Sequence, residues 1–331
     1  MPPLLPKHTP DLVRDSWIET ELEHDFFRHF ICEEGRSPRE RSIRREERWV
    51  REKELGRGSY GTVYLERRVY GGPPKLRAVK ELKKFVVRGQ ELDYMMELEA
   101  IAKFSNKIYS HCFVRSNGWF DLEDTVFITM EYLELGDLQA HLDRPFPEKE
   151  ARLITSQILE GLGFMHDNGF VHRDLKPGNI MVVEAGPDWF VKIGDFGISK
   201  RRRGDVISLR TNLQRGTLGY AAPEALAFNT DAAATSYTSA VDMWSLGAVA
   251  YSILSHNLAF PNIGDMFLYK EGHRPFPSKP LVDRLVSDEG QAFIECLMAP
   301  SPRDRPSAKL ALKDPWMTLP IATSTRDYQQ M

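Results

Sequence analysis

The run Gly56-Arg57-Gly58-Ser59-Tyr60-Gly61 constrains this chain most, because the residues directly after it do not read as a helix. Glycines at this spacing permit a tight turn and let backbone N–H groups approach phosphate oxygens. A dinucleotide-binding fold would need a helix to begin at the loop. Thr62-Val63-Tyr64-Leu65-Glu66-Arg67-Arg68-Val69 instead carries branched and aromatic residues and no helical face. The pattern predicts a glycine-rich hairpin laid over phosphates. On its own such a run also describes an ordinary glycine turn, so the flanking chain has to decide.

The flanking chain is β-like. Between Trp49 and Glu81, Val63, Leu65, Val69, Leu76, Ala78 and Val79 sit among polar residues, and Gly71-Gly72-Pro73-Pro74 marks a turn. Residues 90–104 predict a helix, with Leu92, Met95, Met96, Leu98, Ile101 and Ala102 near helical spacing. Strand signals come next at Phe113–Val114, Gly118–Phe120 and Val126–Tyr132. After Gly136 helices dominate. Residues 148–167 put Ala151, Ile154, Ile158, Leu162 and Met165 on one stripe, between Pro147 and Asn168-Gly169. A strand-rich patch at 170–198 interrupts, and helical patterns resume near 222–228, 238–254, 290–298 and 307–312. The expectation is an α+β chain: a β-rich lobe over 49–135, a mostly helical lobe over 136–320, a tail at 321–331, and a ligand cleft between the lobes.

Residues 1–48 read differently. Pro2, Pro3, Pro6 and Pro10 keep the first ten residues from a regular element. Trp17, Ile18, Leu22, Phe26, Phe27 and Phe30 recur at helical spacing and predict an amphipathic helix. Glu33 to Arg48 interleaves both signs of charge, as a solvated helix or linker does, or a docking or regulatory extension.

Composition narrows the function classes. With 42% apolar and 27% charged residues, the chain as a whole is neither disordered nor collagen-like. A net charge of −3 gives no bulk attraction to nucleic acid or anionic membrane, so neither is an expected partner. Cys32, Cys112 and Cys296 are odd in number, dispersed and not in metal-ligand spacing, which suits thiols in a reducing compartment. MPPLLPKHTP lacks the features of a secretory signal. The longest apolar run, Met243 to Leu254, is shorter than the ~20 residues that span a bilayer and reads as a buried helix. An intracellular location is therefore the expectation, cytoplasmic, nuclear or both.

Three further segments carry chemistry. Ala78-Val79-Lys80 ends a predicted strand, and an inward ammonium there could meet phosphate oxygens but needs a counter-charge without them. Glu97 is the favoured partner, since Ile101 and Phe104 share its helical face, with Glu91 and Glu99 as alternatives. His172-Arg173-Asp174-Leu175-Lys176-Pro177-Gly178-Asn179 packs unlike groups into one loop. Asp174 can take or orient a hydroxyl proton, Lys176 can stabilise a transferring phosphoryl group, Asn179 can offer a carbonyl oxygen to a hard cation, and Arg173 can pair with phosphate. Asp195-Phe196-Gly197 ends another strand-like stretch with a carboxylate suited to Mg²⁺.

In this order the segments resemble the eukaryotic protein kinase family, from about Glu54 to Trp316. Ala222-Pro223-Glu224, Asp242-Met243-Trp244-Ser245-Leu246-Gly247 and Ser301-Pro302-Arg303-Asp304-Arg305-Pro306 resemble later family motifs, which implies an ion pair between Arg305 and Glu224. The resemblance implies the bilobal protein-kinase fold, with ATP and Mg²⁺ as cofactors and protein substrates as partners. It makes Leu55, Gly56, Arg57, Gly58, Ser59, Tyr60, Gly61, Thr62 and Val63 the phosphate-covering loop, with Leu55 and Val63 at adenine. Lys80 would hold the α- and β-phosphates and pair with Glu97, beside Ala78 at the nucleotide. Met130 would line the back of the pocket, Glu131 and Leu133 would offer backbone groups to adenine, and Met181 would lie beneath it. Asp137 is assigned to the ribose or a basic substrate residue. Asp174 would be the catalytic base, Lys176 its neighbour in catalysis, and Asn179 and Asp195 the metal ligands.

Lys176 and Gly216-Thr217 resemble the serine/threonine branch. Arg173 beside Asp174 suggests a loop ordered by phosphorylation, by an upstream kinase or by the chain itself, at Thr211 first and Ser208 second; Ser199 and Thr217 also lie in that loop. Lys200 to Arg203 reads as a solvated basic run, a phosphate clamp or a nuclear address. The stretch from Tyr251 to Leu281, with Pro261, Pro275, Pro277 and Pro280, is irregular against the family pattern. A non-catalytic scaffold is disfavoured because Lys80, Asp174 and Asp195 are all present. A small-molecule kinase is disfavoured by Gly216-Thr217 and the Ala222-Pro223-Glu224 segment.

Overall fold

The computed structural model describes residues 9–33, 43–58, 61–86, 90–91, 94–195, 218–226 and 238–318. The chain divides into two compact units, 1–136 with 192–212, and 137–191 with 213–331.

The first unit is built on one antiparallel sheet. A short helix α1 (Asp11–Asp15) precedes strands β1 (Glu19–Glu23), β2 (Phe26–Glu33), β3 (Ile43–Arg57), β4 (Gly61–Tyr70) and β5 (Leu76–Lys83). A small ribbon, β6 (Phe85–Val86) with β7 (Gln90–Glu91), leads to helix α2 (Met95–Phe104), then β8 (Ser116–Leu122) and β9 (Thr125–Glu131). The seven-stranded order is β1-β2-β3-β4-β5-β9-β8. Its two edges meet: Ile18 N donates to Trp119 O (2.7 Å) and Trp119 N donates to Ser16 O (3.0 Å), a parallel bridge that closes the sheet on itself. At that bridge each edge covers the other, which removes part of both as a template for an unwanted partner. Inside lie Phe27, Val79, Phe120 and Phe127, flanked by Ile18 and Leu122.

This corrects the helix expected over Trp17 to Phe30. The apolar positions there fit a helical period, but His24-Asp25 forms a two-residue turn that folds Glu23 back against Phe26. Beyond the turn the true period is two: Phe27 and His29 are buried, while Phe26, Arg28 and Phe30 are only half-buried. The charge-mixed stretch is likewise strand, not solvated helix or linker, from Ile43 onward. Its opposite charges meet along and across strands, as in Arg44–Glu19 (3.0 Å), Arg48–Glu46 (2.6 Å) and Arg45–Glu47 (2.7 Å). The helix expected over 90–104 starts later, at Met95, because Gln90–Glu91 pairs with Phe85–Val86.

A polar chain crosses the sheet interior. The Arg77 guanidinium donates to Glu66 Oε2 (2.7 and 3.0 Å) and to His29 Nε2 (2.7 Å). Arginine cannot accept, so His29 Nε2 must, and its Nδ1–H faces Thr20 Oγ1 at 2.7 Å. Burial, then the Arg77 charge, pushes His29 down to about 2, so it stays a neutral strut.

The second unit is helical. It holds α3 (Glu148–Asp167), strand β10 (Ile180–Glu184), β11 (Phe190–Ile193, which leaves this unit after Val191), α4 (Pro223–Leu226), α5 (Ala240–Ser255), α6 (Ile263–Lys270), α7 (Lys279–Asp283), α8 (Asp288–Leu297), α9 (Ala308–Ala311) and α10 (Pro315–Thr318). The apolar run recognised in the sequence is α5, buried from Val241 to Ser255, with α3 and α8 packed on it. Gly247 permits the approach of α8, since a Cβ there would meet Leu297 Cβ at 3.0 Å. Among the described residues of the strand signal at 170–198, which end at 195, the strands are β10 and β11, and residues 170–175 have no regular structure. Among the described residues, no helix is long and apolar enough to cross a membrane.

Candidate active site

In the first unit the site begins with strand alternation. Val79 points into the sheet interior, so Ala78 and Lys80 emerge on the other face. Val63 and Ile128 lie opposite Lys80, and Leu65 and Met130 lie opposite Ala78. Lys80 Nζ is 2.6 Å from Glu97 Oε1 on α2 and 2.5 Å from Asp195 Oδ1. Burial alone opposes its charge, but the two carboxylates outweigh that and hold the ammonium above the usual lysine value. Asp195 takes a left-handed backbone conformation (φ 44°) two residues after the end of β11. Ile193, two residues earlier, is tied by Ile193 N to Cys112 O (2.8 Å) and by Val114 N to Ile193 O (3.0 Å).

The glycines of the hairpin differ in their duties. A Cβ on Gly61 would lie 1.8 Å from Glu81 O, so sheet packing alone demands glycine there. A Cβ on Gly56 would meet nothing within 4 Å, and one on Gly58 would only touch Gly61 O at 3.9 Å. Their bareness is not needed for packing, which leaves backbone open to an approaching ligand. Leu55 and Arg57 are exposed, Thr62 and Val63 half-buried, and Gly58 N donates to Gly61 O (2.9 Å). Ser59 and Tyr60 lie outside the described residues.

In the second unit three predicted residues converge. Asp174 Oδ2 accepts from Lys176 Nζ (3.0 Å) and from Asn179 Nδ2 (3.2 Å), and Asn179 Nδ2 also donates to Asp174 O (2.7 Å). That commits the amide nitrogen of Asn179 and turns its carbonyl oxygen elsewhere. Arg173 sits at φ 70°, a conformation that costs an L-residue about 1–2 kcal/mol. Asp242 holds it there: Oδ1 accepts Arg173 N (2.7 Å) and Oδ2 accepts His172 N (2.8 Å) and His166 Nε2 (2.8 Å). Burial would raise the Asp242 carboxyl, yet these donors and the nearby imidazoles keep it below the usual range. Sequence reasoning placed Asp242 in a buried helix but missed this role. The available signal was a carboxylate opening an otherwise apolar run.

The remaining assignments are spread over both units. Glu131 N donates to Arg115 O (2.9 Å), while its side chain accepts Lys192 Nζ (2.7 Å) and Arg115 N (2.8 Å), an arrangement the sequence did not suggest. Leu133 O accepts Gly136 N (3.1 Å). Asp137 Oδ1 caps a short turn through Ala140 N (3.0 Å), and Asp137 bridges Met181 on β10. Arg305 grips Glu224 with two nitrogens, at 2.5 and 2.9 Å, as expected from the late motifs. Phe196, Gly197, Ser199, Lys200 to Arg203, Ser208, Thr211, Gly216 and Thr217 lie outside the described residues.

Comparison with known proteins bears on this arrangement directly. The protein kinase domain family matches residues 49–317. The chain belongs to that family. Its curated relatives place it in the serine/threonine branch. Serine/threonine-protein kinase RAD53 of Saccharomyces cerevisiae is 32% identical over 84% of this chain, and serine/threonine-protein kinase cds1 of Schizosaccharomyces pombe is 31% identical over 79%. Calcium/calmodulin-dependent protein kinase type 1 of Caenorhabditis elegans is 33% identical over 80%. The alignments span 34%, 56% and 72% of those three proteins. The kinase match begins at Trp49, inside β3, so α1, β1, β2 and the start of β3 are additions to the matched domain.

Proposed function

We propose that this kinase transfers the γ-phosphoryl group of ATP to serine and threonine hydroxyls of proteins. The observation that carries the reading is the Lys80 ammonium, held charged by Glu97 and Asp195 on the face where Gly56 and Gly58 leave backbone bare. In the proposal Lys80 releases Asp195 and takes the α- and β-phosphates, while Glu97 keeps its orientation. Leu55, Val63, Ala78, Met130 and Met181 surround adenine, Glu131 and Leu133 meet its edge through backbone, and Asp137 meets the ribose or a basic substrate residue. Asp174 orients the acceptor hydroxyl and takes its proton, and Lys176 steadies the moving phosphoryl group.

Asn179 and Asp195 fit Mg²⁺, which prefers hard oxygen ligands. The Asn179 nitrogen is already committed to Asp174, so its carbonyl oxygen would be the atom that holds the ion. When bound, the ion supplies charge neutralisation at the phosphates. The rest is positioning and electrostatics from the chain. Phosphorylation at Thr211 or Ser208, by an upstream kinase or in cis, is proposed to activate. Full activity in a T211A/S208A variant would refute that.

The test of the main reading is Mg²⁺-dependent transfer from labelled ATP to a degenerate peptide library, followed by acid hydrolysis. Phosphoserine and phosphothreonine are expected. Phosphotyrosine would refute the acceptor class. Label on small metabolites alone would make the chain a small-molecule kinase, and no label anywhere would make it a scaffold.

A further inference from the structure

We infer that the N-terminal addition braces α2 and thereby positions Glu97 against Lys80, with Val13 as the positioning residue. The inference concerns α1, β1 and β2, which precede the residues that match the kinase domain. All the elements involved belong to the first unit.

Helix α1 packs on α2. Leu12 shares the lining of a cavity of about 360 Å³ with Ala102 and Lys103 of α2 and with Ser105, Asn106 and Tyr109 just beyond it. Val13 is fully buried, and its carbonyl accepts the indole N–H of Trp119 at 2.7 Å. Five residues of helix would not hold a position alone. Here the chain is anchored three residues later, where Ser16 and Ile18 bond the backbone of Trp119. His29, locked between Thr20 and Arg77, ties β2 to the interior of the same sheet. The addition is thus fastened to β8 and to β5, the strand that carries Lys80.

The opposite end of the chain of contacts is equally firm. Phe104, the last residue of α2, lies 4.7 Å from the Phe113 ring, and Phe113 bridges Ile193, two residues before Asp195. Both carboxylates that hold Lys80 therefore lean on structure around the C-terminal end of α2. Ala102 is five residues from Glu97, or about 7.5 Å along a stiff helix. A tilt at the α1 contact is carried to Glu97. A buried ion pair tolerates little of it, because its attraction offsets desolvation only when the geometry is good.

The test uses the full chain carrying Val13→Asp, with Val13→Ala as the milder change if the first does not fold, and Trp119→Phe, which keeps a ring but removes the donor to Val13 O. Amide hydrogen exchange is read over 95–104, with helix 148–167 as internal reference. Faster exchange confined to α2, on the order of tenfold, is expected. Unchanged protection of α2 in the folded variants overturns the inference. The second readout is kcat/KM for peptide phosphorylation in a cycle with Glu97→Gln. This arm rests on the proposed activity, whereas the exchange arm does not. An inactive wild-type chain would therefore refute the activity while leaving the brace to be judged by exchange. If the brace acts through Glu97, Val13→Asp costs about tenfold in the wild-type background and less than about twofold beside Glu97→Gln. Equal losses in both backgrounds would mean that Val13 only stabilises the fold.

Discussion

Lys80 and Asp174 are held by opposite means. Lys80 rides on a strand whose register with β4 and β9 sets its direction, and it needs only carboxylates at its tip, one of them half exposed. Asp174 lies in a stretch without regular structure, behind a residue in a left-handed conformation. Its loop depends on one fully buried carboxylate, Asp242, that collects two backbone N–H groups and an imidazole. A sheet supplies position through its ladder. A loop must have it supplied from outside, and the buried group that does so becomes indispensable.

That contrast predicts its largest effect at Asp242. Asp242→Ala strands the buried backbone donor of His172 and the partly buried one of Arg173, so equilibrium denaturation should show a loss of about 2–6 kcal/mol. A loss under about 1 kcal/mol would mean the loop holds itself. Arg305→Lys should come next. It keeps the charge but gives up the paired grip on Glu224 and the bonds to the Ala299 and Ala240 carbonyls, at about 2 kcal/mol.

In the sheet the strain is electrostatic and shows in pH. His29 has its proton affinity depressed in the fold, from 6.5 to about 2. The unfolded chain takes up that proton first, so His29 contributes stability above about pH 6.5 and loses it progressively toward pH 2. Between pH 8 and pH 5 the loss is about 2 kcal/mol. His29→Gln, which keeps an acceptor for Arg77, should remove that part of the slope. An unaltered slope would contradict a buried neutral His29. The glycines separate from each other. Gly61→Ala should cost about 1–3 kcal/mol through its clash with Glu81 O. Gly56→Ala should leave stability within about 0.5 kcal/mol and show itself only in nucleotide affinity.

Much of this was legible in sequence where local pattern and tertiary role coincide. The stripe over 148–167 needs no partner to be recognised, and it is α3 residue for residue. Glu97 could be chosen because a carboxylate sharing a face with Ile101 and Phe104 must be answered by a cation. The N-terminal addition was misread because Trp17 to Phe30 satisfies two periods at once, and only the His24-Asp25 turn decides between them. Glu66, Arg77 and His29 were opaque for another reason. Charged residues on a strand look like a solvated face until the sheet closes over them. The role of Asp242 depends on two backbone groups 69 and 70 residues away, which no spacing rule connects.

Asp174 is proposed to serve phosphoryl transfer from ATP, and Lys80 to serve the nucleotide. Single-turnover transfer from labelled ATP to a serine peptide, with wild type and Asp174→Asn at saturating ATP and Mg²⁺, tests it most directly. Nucleotide affinity within about twofold of wild type and a transfer rate lower by about 10²–10⁴ are expected. An Asp174→Asn enzyme that transfers at the wild-type rate would contradict the proposal.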